Sequence, residues 1–306
     1  MPRILITGSN GQVGHELVRS LAPLGELIAT DRRQLDLGQS PAVIEEALER
    51  FRPDIIVNPA AYTAVDRAEG DEAAAMAVNA AAPGVLARWA AGHRALLVHY
   101  STDYVFDGGG QRPWREDDAT APQSAYGRSK RDGEEAVRRE TPSHLILRTS
   151  WVFGAHGGNF LKTMLKLGQE RTALKVVDDQ IGAPASAAWI ADVTAELIRR
   201  YLASPAGFAY GTYHLAPGGE TSWHGYAAYL LKRAAALGLP LALDPERIEG
   251  IPSSEYPLPA KRPANSRLCC DKLRQTFGIE QPAWQAGVDQ VLAQLLPAEN
   301  NHATRR

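Results

Sequence analysis

The chain has 306 residues, 44% hydrophobic and 22% charged, with 33 basic against 35 acidic side chains and a net charge of -2. That is enough chain for one large or two modest cores, and the balanced charge leaves no electrostatic footprint for nucleic acid or an anionic membrane. The only cysteines, Cys269 and Cys270, are adjacent, which suits neither a metal-ligand spacing nor an unstrained disulfide and fits a reducing compartment. The opening MPRILITGSNGQVG is a short apolar run broken by glycine, unlike the long apolar core of a signal peptide, and no stretch approaches the ~20 apolar residues of a membrane span. The expectation is a soluble, cytoplasmic protein.

In chain order, short runs rich in Ile, Val and Leu alternate with helical patterns. RILIT, ELIAT, DIIVN, ALLVHYS and HLILRTS read as strands. Their alternation with helices predicts right-handed crossovers and a Rossmann-type, doubly wound parallel sheet covered on both faces. Val13, Leu17, Leu21 and Leu24 form the stripe of the first helix. Ser40 and Pro41 mark the cap and first position of the second, with Val43, Ala47, Leu48 and Phe51 as its core face. After RTSWVFG the rhythm loosens. Phe160, Met164 and Leu167 mark one helix and Trp189, Val193, Leu197 and Tyr201 another. GTYHLA reads as a short strand, IPSSEYPLPAKRPANSRL as a loop, and PAWQAGVDQVLAQLL as an amphipathic terminal helix. The predicted organisation is a dinucleotide-binding domain over 1–150, with segments around 185–205 packing back on it. A smaller mixed α/β substrate domain over 151–306 is hinged near Ser150.

Directly after the first strand comes Gly8-Ser9-Asn10-Gly11-Gln12-Val13-Gly14, a G-x-x-G-x-x-G that opens a helix. Glycines there permit a tight turn and close approach to a pyrophosphate, and the helix start offers free N–H groups to it. Asp31 ends the second strand about 20 residues on, where a carboxylate can take the adenosine ribose hydroxyls. Asp31 would repel a 2′-phosphate, whereas Arg32 and Arg33 could pair with one. The cofactor expected is therefore NADPH or NADH, with the preference open.

SAYGRSK places Tyr126 and Lys130 four residues apart on a predicted helix, where they share a face. A nearby cation favours phenolate, so Lys130 is expected to lower the tyrosine pKa and make Tyr126 a proton donor for a carbonyl. HYSTDYVFDG leaves Ser101, Thr102 and Asp103 at the carboxyl end of the fourth strand, where ligands bind in such sheets. Thr102 can donate a hydrogen bond to the oxygen that Tyr126 protonates. A tyrosine–lysine pair at this spacing also arises by chance; the order of glycine turn, S-T-D and Y-x-x-x-K is what gives it weight.

That ordered trio resembles the extended short-chain dehydrogenase/reductase superfamily. Within it NGQVGHEL, RPDIIVNPAAYTAVDRAE, STDYVFDG, YGRSK, RTSWVFG, DDQIGAPAS and RPANSRL are similar to the dTDP-4-dehydrorhamnose reductase family, over essentially the whole chain. The resemblance implies reduction of the 4-keto group of dTDP-4-dehydro-β-L-rhamnose to dTDP-L-rhamnose, the last step of dTDP-rhamnose biosynthesis. It implies that Gly11, Gln12 and Val13 line the pyrophosphate and that Asp31, Asp36 and Leu37 face the adenosine. Ala61, Tyr62, Thr63 and Tyr100 would lie along the cofactor. Thr102 and Asp103 would meet the sugar, Trp151 would pack on it, and Arg262, Asn265 and Ser266 would take the nucleotide end. Some members are magnesium-linked dimers held by glutamates; here Glu16 stands in GHEL, but Ala188 and Gln285 occupy positions where carboxylates would be sought, so no metal is expected. A monomer or homodimer acting on a nucleotide sugar is the implied state.

In the mechanism so implied, Tyr126 protonates the developing alkoxide, Lys130 holds the ribose hydroxyls and Thr102 orients the carbonyl. Two rival readings share the fold. A nucleotide-sugar epimerase or dehydratase of the same superfamily would retain its cofactor through turnover. A noncatalytic NADP-binding regulatory subunit, as of methionine adenosyltransferase, would have no need of an intact Thr102, Tyr126 and Lys130.

Overall fold

Ile4, Ile6, Ile55, Val57, Leu96 and Val98 pack against one layer of helices, while Leu5, Ile56, Leu97 and Ile146 pack against another. This is the alternation a strand imposes when both faces of its sheet are buried. In the computed structural model, which describes residues 1–296, these strands form a six-stranded parallel sheet. Its spatial order is Glu26–Ala29, Arg3–Ile6, Ile55–Asn58, Leu96–Thr102, His144–Thr149 and Gly211–His214. The strand order reverses between Arg3–Ile6 and Ile55–Asn58, opening a crevice at their carboxyl ends.

Helices Gln12–Leu21 and Ala187–Ala203 cover one face; Pro41–Phe51, Ala82–His93 and Ala125–Glu140 cover the other. The second helix begins, as its sequence predicts, with Ser40 as cap and Pro41 in the first turn. Ala47 and Leu48 of its expected core face are buried and Phe51 packs against the same core, but Ile44 takes the inward place expected of Val43, which is 46% exposed. Leu24 also lies beyond the first helix, which ends at Leu21, and packs from the following turn.

The chain returns to this sheet after leaving it. The stretch GTYHLA, expected among the strands of a second domain, supplies the sixth strand, paired in parallel with His144–Thr149. Leu273 and Phe277 of helix Asp271–Phe277 join the same core. A separate core gathers Phe153, Leu161, Met164, Tyr226, Leu230, Trp284 and Val288 from helices Phe160–Glu170, Trp223–Ala236 and Trp284–Leu295. Two short ribbons frame it: Lys175–Val177 with Glu249–Ile251, and Ile181–Gly182 with Thr221–Ser222. No described helix is long and apolar enough to cross a membrane.

A buried ion pair ties the Ala125–Glu140 helix to the fifth strand. Arg148 donates to both oxygens of Glu134 at 2.8 and 2.6 Å, and Arg138 adds a third bond at 2.6 Å. Removing one partner of such a pair strands a charge in the interior and costs about 3–5 kcal/mol. The same helix packs so closely on the π-helical turn Ala77–Ala81 that a Cβ at Gly133 would sit 2.0 Å from the Asn79 carbonyl oxygen. Glycine is therefore required there, and it fixes the depth at which Tyr126 and Lys130 are presented.

Candidate active site

A cleft of about 990 Å³ runs along the carboxyl ends of the strands at the switch point, a volume typical of a small-molecule site. It is lined by Gly8, Gly11, Gln12, Val13 and Gly14 at its middle and by Asp31, Asp36 and Leu37 at one end. Ala61, Tyr62 and Thr63 flank it, and Tyr100, Tyr126 and Lys130 close the other end. The turn is built for close contact: Gly8 has φ +56°, and a Cβ on Gly14 would fall 2.2 Å from the Gly8 oxygen. The helix that follows has neither a side-chain cap nor an acidic residue in its first turn. Its first amides are thus left for an anion, and a dinucleotide pyrophosphate fits this cradle.

At the end of the cleft lined by Asp31 and Asp36, Asp31 accepts from the Arg33 amide at 2.8 Å and from the Arg33 guanidinium at 2.9 and 3.1 Å. Hydrogen bonding from Arg33 holds its carboxyl below the ordinary range. Arg32 pairs with Asp36 at 3.3 Å. The two guanidinium groups are exposed, so the carboxylates and the cations stand together at the same end of the cleft.

The segment 152–159, outside every predicted strand and helix, fastens onto the glycine turn. Asn159 donates to the Gln12 amide oxygen at 2.8 Å, His156 meets the Asn10 carbonyl at 3.0 Å, and the His15 and His156 rings stack with centroids 4.2 Å apart. Gly157 and Gly158 then line the cleft. Asn79, on the π turn, was equally invisible in sequence. It bonds the Tyr62 backbone at 2.8 and 3.0 Å and the Ser129 hydroxyl at 3.0 Å, tying the Ala61–Thr63 loop to the Tyr126 helix.

Tyr126 and Lys130 occupy successive turns of a helix capped by Ser124, whose hydroxyl accepts from the Gly127 amide at 3.1 Å. Both reach the cleft, but Lys130 does not act on the phenol as expected. Its ammonium donates to the Tyr100 carbonyl at 2.6 Å, and burial lowers its pKa to about 8. Burial pushes Tyr126 up to about 12, and the Asp103 charge reinforces the rise. The phenol is therefore kept protonated, the form a proton donor needs. Tyr104, from the fourth strand's exit, packs its ring edge-on against Tyr126 at 5.5 Å. The Tyr100 phenol turns away from the cleft to the Thr194 hydroxyl, 2.7 Å distant.

Thr102 also differs from its expected role as a donor to a carbonyl. Its single proton goes to Asp103 Oδ1 at 3.0 Å, and its oxygen accepts from the Tyr104 amide at 3.3 Å. While Asp103 is ionised, Thr102 is an acceptor towards Tyr126. The other Asp103 oxygen is buried without a hydrogen-bond partner, and burial raises this carboxyl to about 6 although the Thr102 hydroxyl favours its charge.

Beyond the cleft, Trp151 takes φ 48° and lies flat on Trp223 at 3.8 Å, a partner no motif announced. Arg262 is held by Asp66 at 2.5 Å, with its Nη1 buried and unpartnered. Ser266 is buried with an unpartnered hydroxyl. Asn265 is different: its side-chain nitrogen donates to the Gly109 and Arg112 carbonyls at 3.2 and 2.8 Å, and its oxygen takes the Arg267 amide at 3.2 Å. It is used up as a staple between two loops, which corrects its expected place among the nucleotide contacts. Glu16 is paired with Arg19 at 3.3 Å, and Ala188 is buried.

Comparison with known proteins agrees with this geometry. A family model described as the RmlD substrate binding domain matches residues 2–296. The dTDP-4-dehydrorhamnose reductase of Burkholderia thailandensis is 49% identical over 298 residues, covering 96% of this chain and 99% of its own. That of Escherichia coli K12 is 47% identical over 295 residues, covering 95% and 97%. A crystal structure of dTDP-4-dehydrorhamnose reductase from Bacillus anthracis in complex with NADP superposes with a TM-score of 0.87 at 33% identity, covering 96% of this chain and 99% of that one.

Proposed function

The chain belongs to the RmlD substrate-binding-domain family, and from that premise we propose that it reduces the 4-keto group of dTDP-4-dehydro-β-L-rhamnose to give dTDP-L-rhamnose. It is an oxidoreductase using NADPH or NADH. The observation that most supports this chemistry at this site is the meeting of a protonated phenol and a buried ammonium, Tyr126 and Lys130, at the inner end of a dinucleotide cleft.

Bound NADPH or NADH supplies the hydride for the carbonyl carbon. Tyr126 gives its proton to the oxygen as charge develops there, and Thr102 and Asp103 orient the phenol. Lys130 offers an N–H to the ribose hydroxyls. Asp31 and Asp36, with Arg32 and Arg33, hold the adenosine end, and the Gln12 and Val13 amides take the pyrophosphate. The sugar is read as resting against Trp151, with Arg262 and Ser266 towards its nucleotide. The unit around the Phe153–Tyr226–Trp284 core, from the region expected over 151–306, would carry that pocket. The cytoplasm is the compartment proposed, since two free cysteines and a nucleotide-sugar substrate both suit it, with the chain a monomer or homodimer.

The test is oxidation of NADPH and NADH with dTDP-4-dehydrorhamnose supplied enzymatically. Tyr126→Phe is expected to lower kcat by about 10²–10⁴ while dinucleotide affinity is kept. Near-normal turnover by the folded variant would remove Tyr126 from the reaction. A purified chain carrying stoichiometric, non-exchanging dinucleotide would favour an epimerase or dehydratase instead.

A further inference from the structure

Lys130 is a cation with 2% exposure, and among the described residues no carboxylate lies within salt-bridge distance of it. Glu134, one turn along the helix, favours its charge from farther off but is itself bound by Arg148 and Arg138. The ammonium has two neighbours on the fourth strand: the Tyr100 carbonyl at 2.6 Å and His99 Nε2 at 3.4 Å. Nothing in the reaction described above uses His99, yet its side chain is wholly buried and its ring is held at the far end too. The Asn58 amide nitrogen lies 3.1 Å from His99 Nδ1, and the Thr7 hydroxyl sits 2.6 Å from the Asn58 amide oxygen. Asn58 and His99 lie on adjacent strands and Thr7 just past the end of the next one, and each is 0–1% exposed. A polar chain this deep must be fully paired to be tolerated.

We propose that His99, fixed by Asn58, is a positioning residue for Lys130, holding two of the three ammonium protons in common with the Tyr100 carbonyl so that the third is aimed into the cleft at the dinucleotide ribose. This rests on the reductase reading. A neutral imidazole beside a charged ammonium must turn a lone pair to it, so Nε2 accepts and Nδ1 carries the hydrogen. His99 is kept neutral by its burial, by the charge of Lys130 and by His144. The Nδ1 hydrogen then needs an acceptor, and the Asn58 amide turned end for end provides its oxygen to His99 and its NH₂ to Thr7 Oγ1 with every distance kept. With two donors anchored on one strand, the tetrahedral ammonium has one direction left, and Lys130 lines the cleft.

The other titratable groups around this pair are accounted for. Tyr126, one turn before Lys130, stays protonated; His144, on the neighbouring strand, is lowered by burial and bonds the Thr141 carbonyl at 2.6 Å; Glu134 is neutralised by two arginines. The alkaline loss of dinucleotide affinity thus reports Lys130.

The experiment uses the full chain and follows NADPH binding by fluorescence from pH 6 to 10, beside steady-state reduction. His99→Leu removes the acceptor, and its NADPH Kd is expected to rise about tenfold, the worth of one hydrogen bond to a charged group. Its alkaline limb should move about one pH unit lower, because the cation has lost support. His99→Gln, whose amide oxygen can accept, should recover most of both. A folded His99→Leu with wild-type Kd and an unmoved limb overturns the proposal, since a merely structural histidine would alter stability alone. Should the variants not fold, ¹⁵N chemical shifts of the wild-type histidines at pH 7 decide it: hydrogen on His99 Nδ1 supports the proposal and hydrogen on Nε2 overturns it. A wild type that binds no dinucleotide removes the reductase reading and this inference with it; a wild type that reduces the sugar beside an unaffected His99→Leu removes this inference only.

Discussion

Trp151 and Trp223 stack with ring centroids 3.8 Å apart and planes 17° from parallel, joining the end of the fifth strand to the first turn of helix Trp223–Ala236. Trp151 holds φ 48°, a left-handed value that costs a non-glycine residue about 1 kcal/mol or more. A stack contributes about 0.5–1.5 kcal/mol beyond area burial and so offsets that strain. Trp223→Ala should free the Trp151 ring and raise KM for the nucleotide sugar about 2- to 10-fold, leaving the NADPH Kd unchanged. Equal losses for both ligands would take the stack out of the sugar site.

Lys130 has a pKa of about 8 in the folded chain, against ~10.4 for an exposed lysine. Between those values the unfolded chain binds more protons, so stability from this group rises with pH from about 8 to 10, and the penalty of burying the cation is fully present below 8. Ligand binding should run the opposite way, with NADPH affinity falling as the ammonium is lost above about pH 8. Lys130→Met is expected to bind NADPH weakly at every pH and to lack the wild-type gain in stability over that window. Urea midpoints and fluorescence titrations of the two proteins across pH 7–10 check both slopes.

Asp103 is raised to about 6 by burial, above the ~3.9 of an exposed aspartate. Between about pH 4 and 6 the folded chain holds the extra proton, so stability from this group falls as pH rises through that window, and above it the whole cost of a buried charge remains. Asp103→Asn should therefore stabilise the chain at pH 7.5 by on the order of 1–2 kcal/mol. The gain should vanish near pH 4, and turnover should drop because the partner of Thr102 is altered. A variant less stable than wild type at pH 7.5 would mean that the carboxylate is better satisfied than its unpartnered oxygen suggests.

Asp31 takes three bonds from Arg33, so the acid and the cation are coupled. Asp31→Ala removes an acceptor for the ribose hydroxyls of NADH and releases Arg33 towards a 2′-phosphate. KM for NADH should rise about tenfold or more, the worth of a lost hydrogen bond to a charged group, while KM for NADPH rises less or falls. Parallel increases measured with the two cofactors would place Asp31 outside the ribose site.

Much of the sheet was readable because a doubly covered parallel strand needs an unbroken apolar run, and the five runs up to Thr149 all become strands. One position of the Pro41–Phe51 core face differs from expectation, because Val43 and Ile44 both fit an apolar stripe and only packing decides which neighbour turns inward. The sixth strand joins the main sheet rather than the second unit expected for it, for a related reason: GTYHLA is short and half polar, and nothing local tells a strand which sheet it joins. The glycine turn and the Tyr126–Lys130 spacing were legible since each depends on residues close in the chain. Asn79, Trp223 and the 152–159 segment were not, because each matters through a contact 17 to 147 residues away.

By itself the sequence determined the alternation of strands and helices, the place of the dinucleotide turn and the helical face shared by Tyr126 and Lys130, since period, glycine geometry and i,i+4 spacing are local properties of the backbone. The tertiary structure alone decided the protonation of that face and the direction of its hydrogen bonds. Those depend on how much water is excluded and which distant groups remain: burial holds Tyr126 protonated, the fourth strand's Tyr100 carbonyl claims the Lys130 ammonium, and Asp103 takes the Thr102 proton that the motif alone would have aimed at the substrate.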